Sequence, residues 1–177
     1  MLHQLSAFWA RLEIWGAAIM AVLVTLLILL NVVTRTAGSA LFWVDELAIY
    51  AMVWMTFLGA SAALHYRSSV SITVLADAVP ERIKRLIVKS VDCVVFLFSL
   101  AMLWLCWRWF LPLELATAGF EIQAFQGKTF NFIYAEPTST LGFPKYLFWL
   151  VMWLFALGAT LHSTANLLGK YAKGRSR

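Results

Sequence analysis

The sequence predicts an all-α integral membrane protein with four transmembrane helices, both termini in the cytoplasm, and an interfacial helical segment between spans two and three. Composition is the first ground: 62% of the 177 residues are hydrophobic and 13% are charged, whereas soluble domains run about 45–50% apolar and about 25% charged. Spacing is the second. The 14 Lys+Arg and 9 Asp+Glu leave four stretches of about 20 residues nearly free of charge, enough for a helix to cross about 30 Å of hydrocarbon. The third is aromatic content, 9 Trp, 13 Phe and 5 Tyr, because amphipathic rings collect at membrane–water boundaries. Disorder, collagen, a coiled coil and a secreted disulfide scaffold are excluded by these figures. Cys93 and Cys106 share one apolar run and stand about 20 Å apart along a helix, too far for a disulfide.

The chain reads as a single membrane domain, residues 1–177. Its first span runs from about Ile14 to Val33, between Arg11/Glu13 and Arg35. It is read as an uncleaved anchor, because its apolar stretch exceeds the roughly 7–15 residues of a cleaved leader. The second span, about Leu41 to Leu64, carries Asp45 and Glu46 in its first turns, which places those acids at the interface. A third span covers about Val91 to Leu111, where Pro112 stops it. The fourth, about Tyr146 to Leu168, follows Gly142 and Pro144.

Thr34–Ala40 is a short polar turn that makes the first two spans an antiparallel hairpin. In the second connection, residues 65–86, Val70, Ile72, Val74 and Leu75 are apolar among serines, which predicts a segment lying along the cytoplasmic surface. Pro80 and Glu81 then open the helix that leads into the third span. Residues 112–144 form a loop with three acids and several aromatics, expected in the periplasm. Arg11, Arg67, Arg82, Lys84, Arg85, Lys89, Lys170, Lys173, Arg175 and Arg177 fall on one side, and Arg35, Arg108, Lys128 and Lys145 on the other. Ten basic residues against four place both termini in the cytoplasm. The +5 net charge therefore reports topology, not a nucleic-acid-binding face.

Arg35, with Trp43, Asp45, Glu46 and Tyr50 after it, is the sharpest local feature. A carboxylate at mid-membrane costs about 2.5–3.5 kcal/mol on insertion scales. Acids at the start of a span therefore want water or a cation, which Arg35 can supply across the turn. An interfacial ion pair fixing the hairpin, a contact with a partner subunit, and a role in a proton or ion path all stand as readings. Gly59 with Ala63, and Ala17 with Ala21, have the four-residue spacing that lets helices approach closely. Trp43, Glu46, Tyr50, Trp54 and Phe57 recur at helical spacing and are expected to face lipid or another protein. His65 and His162 both fall near the cytoplasmic end, which opens an alternative: a haem-binding membrane anchor of an oxidoreductase with these two as axial ligands. A small self-associating structural membrane protein is a third reading. No GxSxG, Walker A or HExxH sequence occurs, and the chain is read as no enzyme. No cluster of intramembrane acids and bases marks a solute path through this chain alone.

The stretch from Asn31 to Pro80 resembles the small membrane subunit of TRAP (tripartite ATP-independent periplasmic) transporters. Its marks are Arg35, the run Trp43-Val44-Asp45-Glu46, Tyr50, Trp54, the run Phe57-Leu58-Gly59-Ala60, Arg67, Ile72 and Pro80. The four-span layout and Pro144 before the fourth span are similar too. Ser69, Ser71 and Leu75 stand where the family often has Gly, His and Asp, so Ser71 inherits no role. The resemblance implies a non-catalytic subunit of the bacterial inner membrane, embedded in lipid and without a cofactor of its own. It also implies that this subunit braces a large sodium-coupled, elevator-like membrane subunit, and that a periplasmic binding protein delivers an organic acid. Arg35, Trp43, Asp45, Glu46, Tyr50, Trp54, Gly59 and Arg67 are the candidate contact or bracing residues.

Overall fold

The computed structural model describes residues 1–66 and 79–169. Among the described residues the helices are, in chain order, α1 Leu2–Thr36, α2 Phe42–Tyr66, α3 Glu81–Phe110, α4 Pro112–Thr117, α5 Ile122–Thr129, α6 Tyr146–Trp149 and α7 Val151–Leu168. Among the described residues four stretches are long and apolar enough to cross a membrane: α1, α2, Arg82–Thr117 and Tyr146–Leu168. Among the described residues the nearest approach to a strand is an isolated antiparallel bridge between Pro137 and Pro144. The expected interfacial segment, with Arg67 and Ser71, lies largely outside the described residues.

Two helix boundaries differ from the sequence reading. The first helix begins at Leu2, well ahead of Ile14, and its 35 residues extend for about 52 Å at 1.5 Å per residue. Glu13, which reads in sequence as a boundary charge, is buried inside the bundle along with Ser6 and Ala10. The second connection is also shorter than residues 65–86, because α2 keeps its course through Tyr66 and α3 starts at Glu81.

The turn after α1 closes in a Schellman pattern. Gly38, at φ 75, lets the Ser39 amide reach the Thr34 carbonyl at 2.9 Å while its own amide bonds the Arg35 carbonyl at 3.1 Å. α1 and α2 pack along one another, and α7 touches α1, α2 and α3. That central position suits its sequence. Ala156, Gly158, Ala159, Ser163 and Ala165 of α7 are buried, and small residues let neighbouring helices come close where lipid supplies no hydrophobic drive.

The loop of residues 112–144 is ordered around a small core of Phe110, Phe125, Ile133 and Tyr134. It also caps the end of α3. Helix C-termini leave carbonyls without partners, and here Asn131 Nδ2 donates to the Trp109 carbonyl at 2.7 Å and the Tyr134 hydroxyl to the Phe110 carbonyl at 2.7 Å. Burial raises the Tyr134 phenol above its ordinary pKa, and nearby Tyr146 adds to the effect. The long helix α3 ends at Phe110, Leu111 turns into the left-handed region, and Pro112 serves as the first residue of α4.

Candidate functional site

Three polar joints tie this apolar bundle together. The first is the hairpin of α1 and α2. Arg35 Nη2 meets Asp45 Oδ2 at 2.6 Å, Arg35 Nε donates to Asn31 Oδ1 at 2.8 Å, and Asn31 Nδ2 donates to Asp45 Oδ1. The expected ion pair therefore exists, with Asp45 as its acid and Asn31 as an added member. Both charged side chains are substantially exposed, 58% and 42%, so the pair sets geometry more than it adds stability.

Glu46 is not part of that pair. It turns to the loop instead, where Oε1 accepts the Ser139 amide at 2.8 Å and Oε2 accepts the Thr140 amide and hydroxyl, each at 2.6 Å. A carboxylate gathering amides of one turn is a strong, directional fastening. Tyr50, one turn along, donates to Glu46 Oε1 at 3.3 Å and stacks on Phe148, centroids 3.9 Å apart. Trp54 Nε1 donates to the Phe148 carbonyl at 2.9 Å, and Phe57 meets Phe155 edge-on. The aromatic stripe of α2 thus faces the chain's own α6–α7 segment, a correction to the expected lipid or partner contact. Tyr50, Trp54 and Phe148 also line an apolar cavity of about 400 Å³ with Met20, Leu23 and Leu47. Trp43 stands on the outside at 38% exposure.

The third joint is buried. Ser6 Oγ sits between His65 Nδ1 at 2.7 Å and His162 Nδ1 at 2.8 Å, and His162 Nε2 lies 2.9 Å from Glu13 Oε2. Ser6, Glu13 and His162 are all buried. A relay in one direction fits these contacts: His65 donates to Ser6, Ser6 donates to His162, and His162 donates to Glu13. The two histidines do approach, with ring centroids 5.4 Å apart. They are nevertheless not haem ligands, because both His162 nitrogens are engaged and offer no lone pair to iron. Among the described residues no group of three His, Cys, Asp or Glu could hold a metal ion.

Gly59 is not the close-contact glycine either; a methyl there would meet nothing within 4 Å. Gly158 takes that part. A methyl on it would lie 2.2 Å from Glu13 Oε1 and 2.5 Å from Ser61 Oγ.

These joints fasten helices that are long and apolar enough to cross a membrane. The family model for the DctQ component of tripartite ATP-independent periplasmic transporters matches residues 24–173. The chain belongs to that family. A Haemophilus influenzae protein named as a TRAP transporter small permease is 37% identical over 82 residues, covering 45% of this chain and 50% of the relative. The chain therefore aligns with half the length of that curated relative. No solved structure matches it.

As a TRAP small permease the chain is a non-catalytic transporter component, and the two polar joints at the loop end acquire a setting. Both involve residues that the family resemblance singles out, Arg35 and Glu46, and both fix where the loop end of α2 stands. Arg67 lies outside the described residues. Sequence reasoning missed Asn31, Ser139 and Thr140, and in the buried joint it missed Ser6 and Glu13, bringing His65 and His162 together only as haem ligands. For Glu13, one signal was available: an acid inside a run otherwise able to span a membrane calls for a buried partner.

Proposed function

We propose that this small permease braces a large, sodium-coupled membrane subunit of the elevator type, in a transporter that takes up an organic acid delivered by a periplasmic binding protein. The observation that carries the bracing role is where the polar groups go. Within the helices they join the chain's own elements, as in Arg35–Asp45, Glu46–Thr140 and Glu13–His162. The outer faces are apolar, with Phe8, Trp15, Ile19, Val22 and Leu26 exposed on α1 and Val94, Leu97 and Trp104 on α3. A solute path needs polar groups lining an opening, whereas a fixed frame needs a stiff interior and an apolar exterior. In this reading the sodium and solute sites reside in the large subunit, and this chain carries no cofactor.

In this reading the chain sits in the bacterial inner membrane with both termini cytoplasmic, an orientation that the excess of basic residues at that end supports. Residues 112–144 then face the periplasm and offer their ordered surface to the binding protein. Trp43, Gly59 and Arg67 are assigned to contacts with the large subunit.

Co-expression with the large multi-span subunit encoded beside it tests the reading. The two are expected to co-purify from detergent, and uptake in vesicles is expected to need both chains and an inward sodium gradient. Failure to associate would overturn the proposal. A cysteine at Ser139 is expected to be labelled by an impermeant reagent from the periplasmic side, and labelling only after lysis would reverse the topology.

A further inference from the structure

Beside the Ser6–Glu13–His65–His162 joint lie three further polar atoms. Trp9 Nε1, Glu13 Oε1 and Ser61 Oγ are buried and have no hydrogen-bond partner on the protein. Each such group costs about 1–3 kcal/mol if it stays unsatisfied, and buried polar groups in folded proteins nearly always find a partner. These three come from two helices, yet they converge. The point where a methyl carbon would stand on Gly158 is 2.2 Å from Glu13 Oε1, 2.5 Å from Ser61 Oγ and 2.8 Å from Trp9 Nε1. That point itself is too close to the glycine and to Glu13 to hold an atom, but the distances show that the three polar atoms crowd together, near enough for one oxygen set off from the glycine to bridge them.

The donors and acceptors narrow the ligand to one class. Trp9 only donates, the Glu13 carboxylate only accepts, and the Ser61 hydroxyl does either. A cation is refused by the indole N–H, and an anion by the carboxylate. A neutral molecule that both accepts and donates fits: it takes the Trp9 hydrogen and gives its own to Glu13 and Ser61. The three atoms lie so close together around Gly158 that the bridging molecule must be as small as water.

We infer that one structural water is bound between Trp9, Glu13 and Ser61 against Gly158, and that it completes the polar joint of α1, α2 and α7 inside the bundle. Glu13 then has both oxygens engaged, Oε2 by His162 and Oε1 by the water. Gly158 is required because any side chain there displaces the water and collides with the carboxylate. The inference is independent of the transported solute and of the large subunit.

The test uses the full chain in lipid nanodiscs. A map that resolves waters is expected to show an isolated peak about 2.7–3.2 Å from all three atoms. Infrared difference spectra on exchange into oxygen-18 water are expected to show one buried O–H band that shifts with the isotope. Gly158→Ala is expected to lose that band, and Ser61→Ala, which removes one partner and keeps the glycine, to move it in frequency. Should Gly158→Ala fail to fold, Ser61→Ala carries the decision. The inference is overturned if the three side chains bond one another directly with no peak between them. A wild-type spectrum without an isotope-sensitive band, or a Ser61→Ala band identical to wild type, overturns it equally.

Discussion

Glu13 on α1 and His162 on α7, 149 positions apart in sequence, are hydrogen-bonded at 2.9 Å with both side chains buried. The contact fastens the N-terminal part of α1, the part that extends beyond the apolar span, to the central helix. Removing the acid strands an imidazole nitrogen in an apolar interior. Glu13→Ala is expected to lower stability by about 1–3 kcal/mol, read as the unfolding midpoint of the purified chain in detergent. Glu13→Gln keeps an acceptor facing His162 Nε2 and is expected to recover most of the loss. Equal midpoints for all three proteins would remove any stabilising role for the pair.

The hairpin pair should behave differently. Arg35 and Asp45 are both well exposed, and exposed ion pairs contribute about 0–1 kcal/mol. A double-mutant cycle on Arg35→Ala and Asp45→Ala is expected to give a coupling within that range, screened by salt. A coupling of several kcal/mol would mean that the pair is shielded from water.

Glu46 is expected to matter for the loop and for assembly more than for folding. In Glu46→Ala the Ser139 and Thr140 amides lose their acceptor, so their hydrogen exchange should accelerate while exchange in the middle of α2 stays as it was. The yield of complex with the large subunit is expected to fall. If exchange at both amides is unchanged, Glu46 does not hold the loop. If yield and uptake are also unchanged, it has no part in assembly.

These joints show what could be read from the sequence. The four spans were legible because charge is excluded from about 20 residues at a time, and the tight hairpin because Gly38 and its small neighbours permit little else. Arg35's acid was half legible: proximity offered Asp45 and Glu46 alike, and only the loop distinguishes them, since the Ser139 and Thr140 amides belong to backbone that no residue pattern announces. The burial of Glu13 was not legible, because an acid ahead of an apolar run looks like a boundary charge as long as its partner, far along the chain, is unknown. The stripe from Tyr50 to Phe57 was recognised as a face, but periodicity gives a face without saying what covers it.

Lys145 closes the loop onto α6 through a 2.7 Å contact with Glu136. The hydrogen bond that Lys145 donates to the Glu136 side chain raises the Lys145 pKa above its ordinary value, and the nearby charge of Glu136 adds to the shift. The ammonium therefore persists to higher pH in the folded chain. Its contribution to stability is complete below the unfolded lysine pKa and is lost as pH rises through the folded one. Glu136→Gln is expected to shift the pH profile of Lys145 modification by an amine-selective reagent toward lower pH, read by peptide mass spectrometry. An unshifted profile would mean that the contact does not hold the proton.

The two glycines of the sequence reading and of the structure give the last prediction. Gly59 lies in the interior of α2 with open space where a methyl would go, whereas at Gly158 the methyl meets Glu13, Ser61 and Trp9 at under 3 Å. Alanine is favoured over glycine in a helix interior by about 0.5–1 kcal/mol. Gly59→Ala is therefore expected to leave the isolated chain as stable or slightly more so, and Gly158→Ala to destabilise it by forcing the buried carboxylate off its partner. The proposed contact of Gly59 with the large subunit adds a second readout: a methyl that is harmless in the isolated chain should still lower complex yield if a partner helix packs there. Unchanged yield with Gly59→Ala would place that glycine against lipid, and a stable Gly158→Ala chain would show that α1 and α7 have more slack than the Glu13–His162 contact implies.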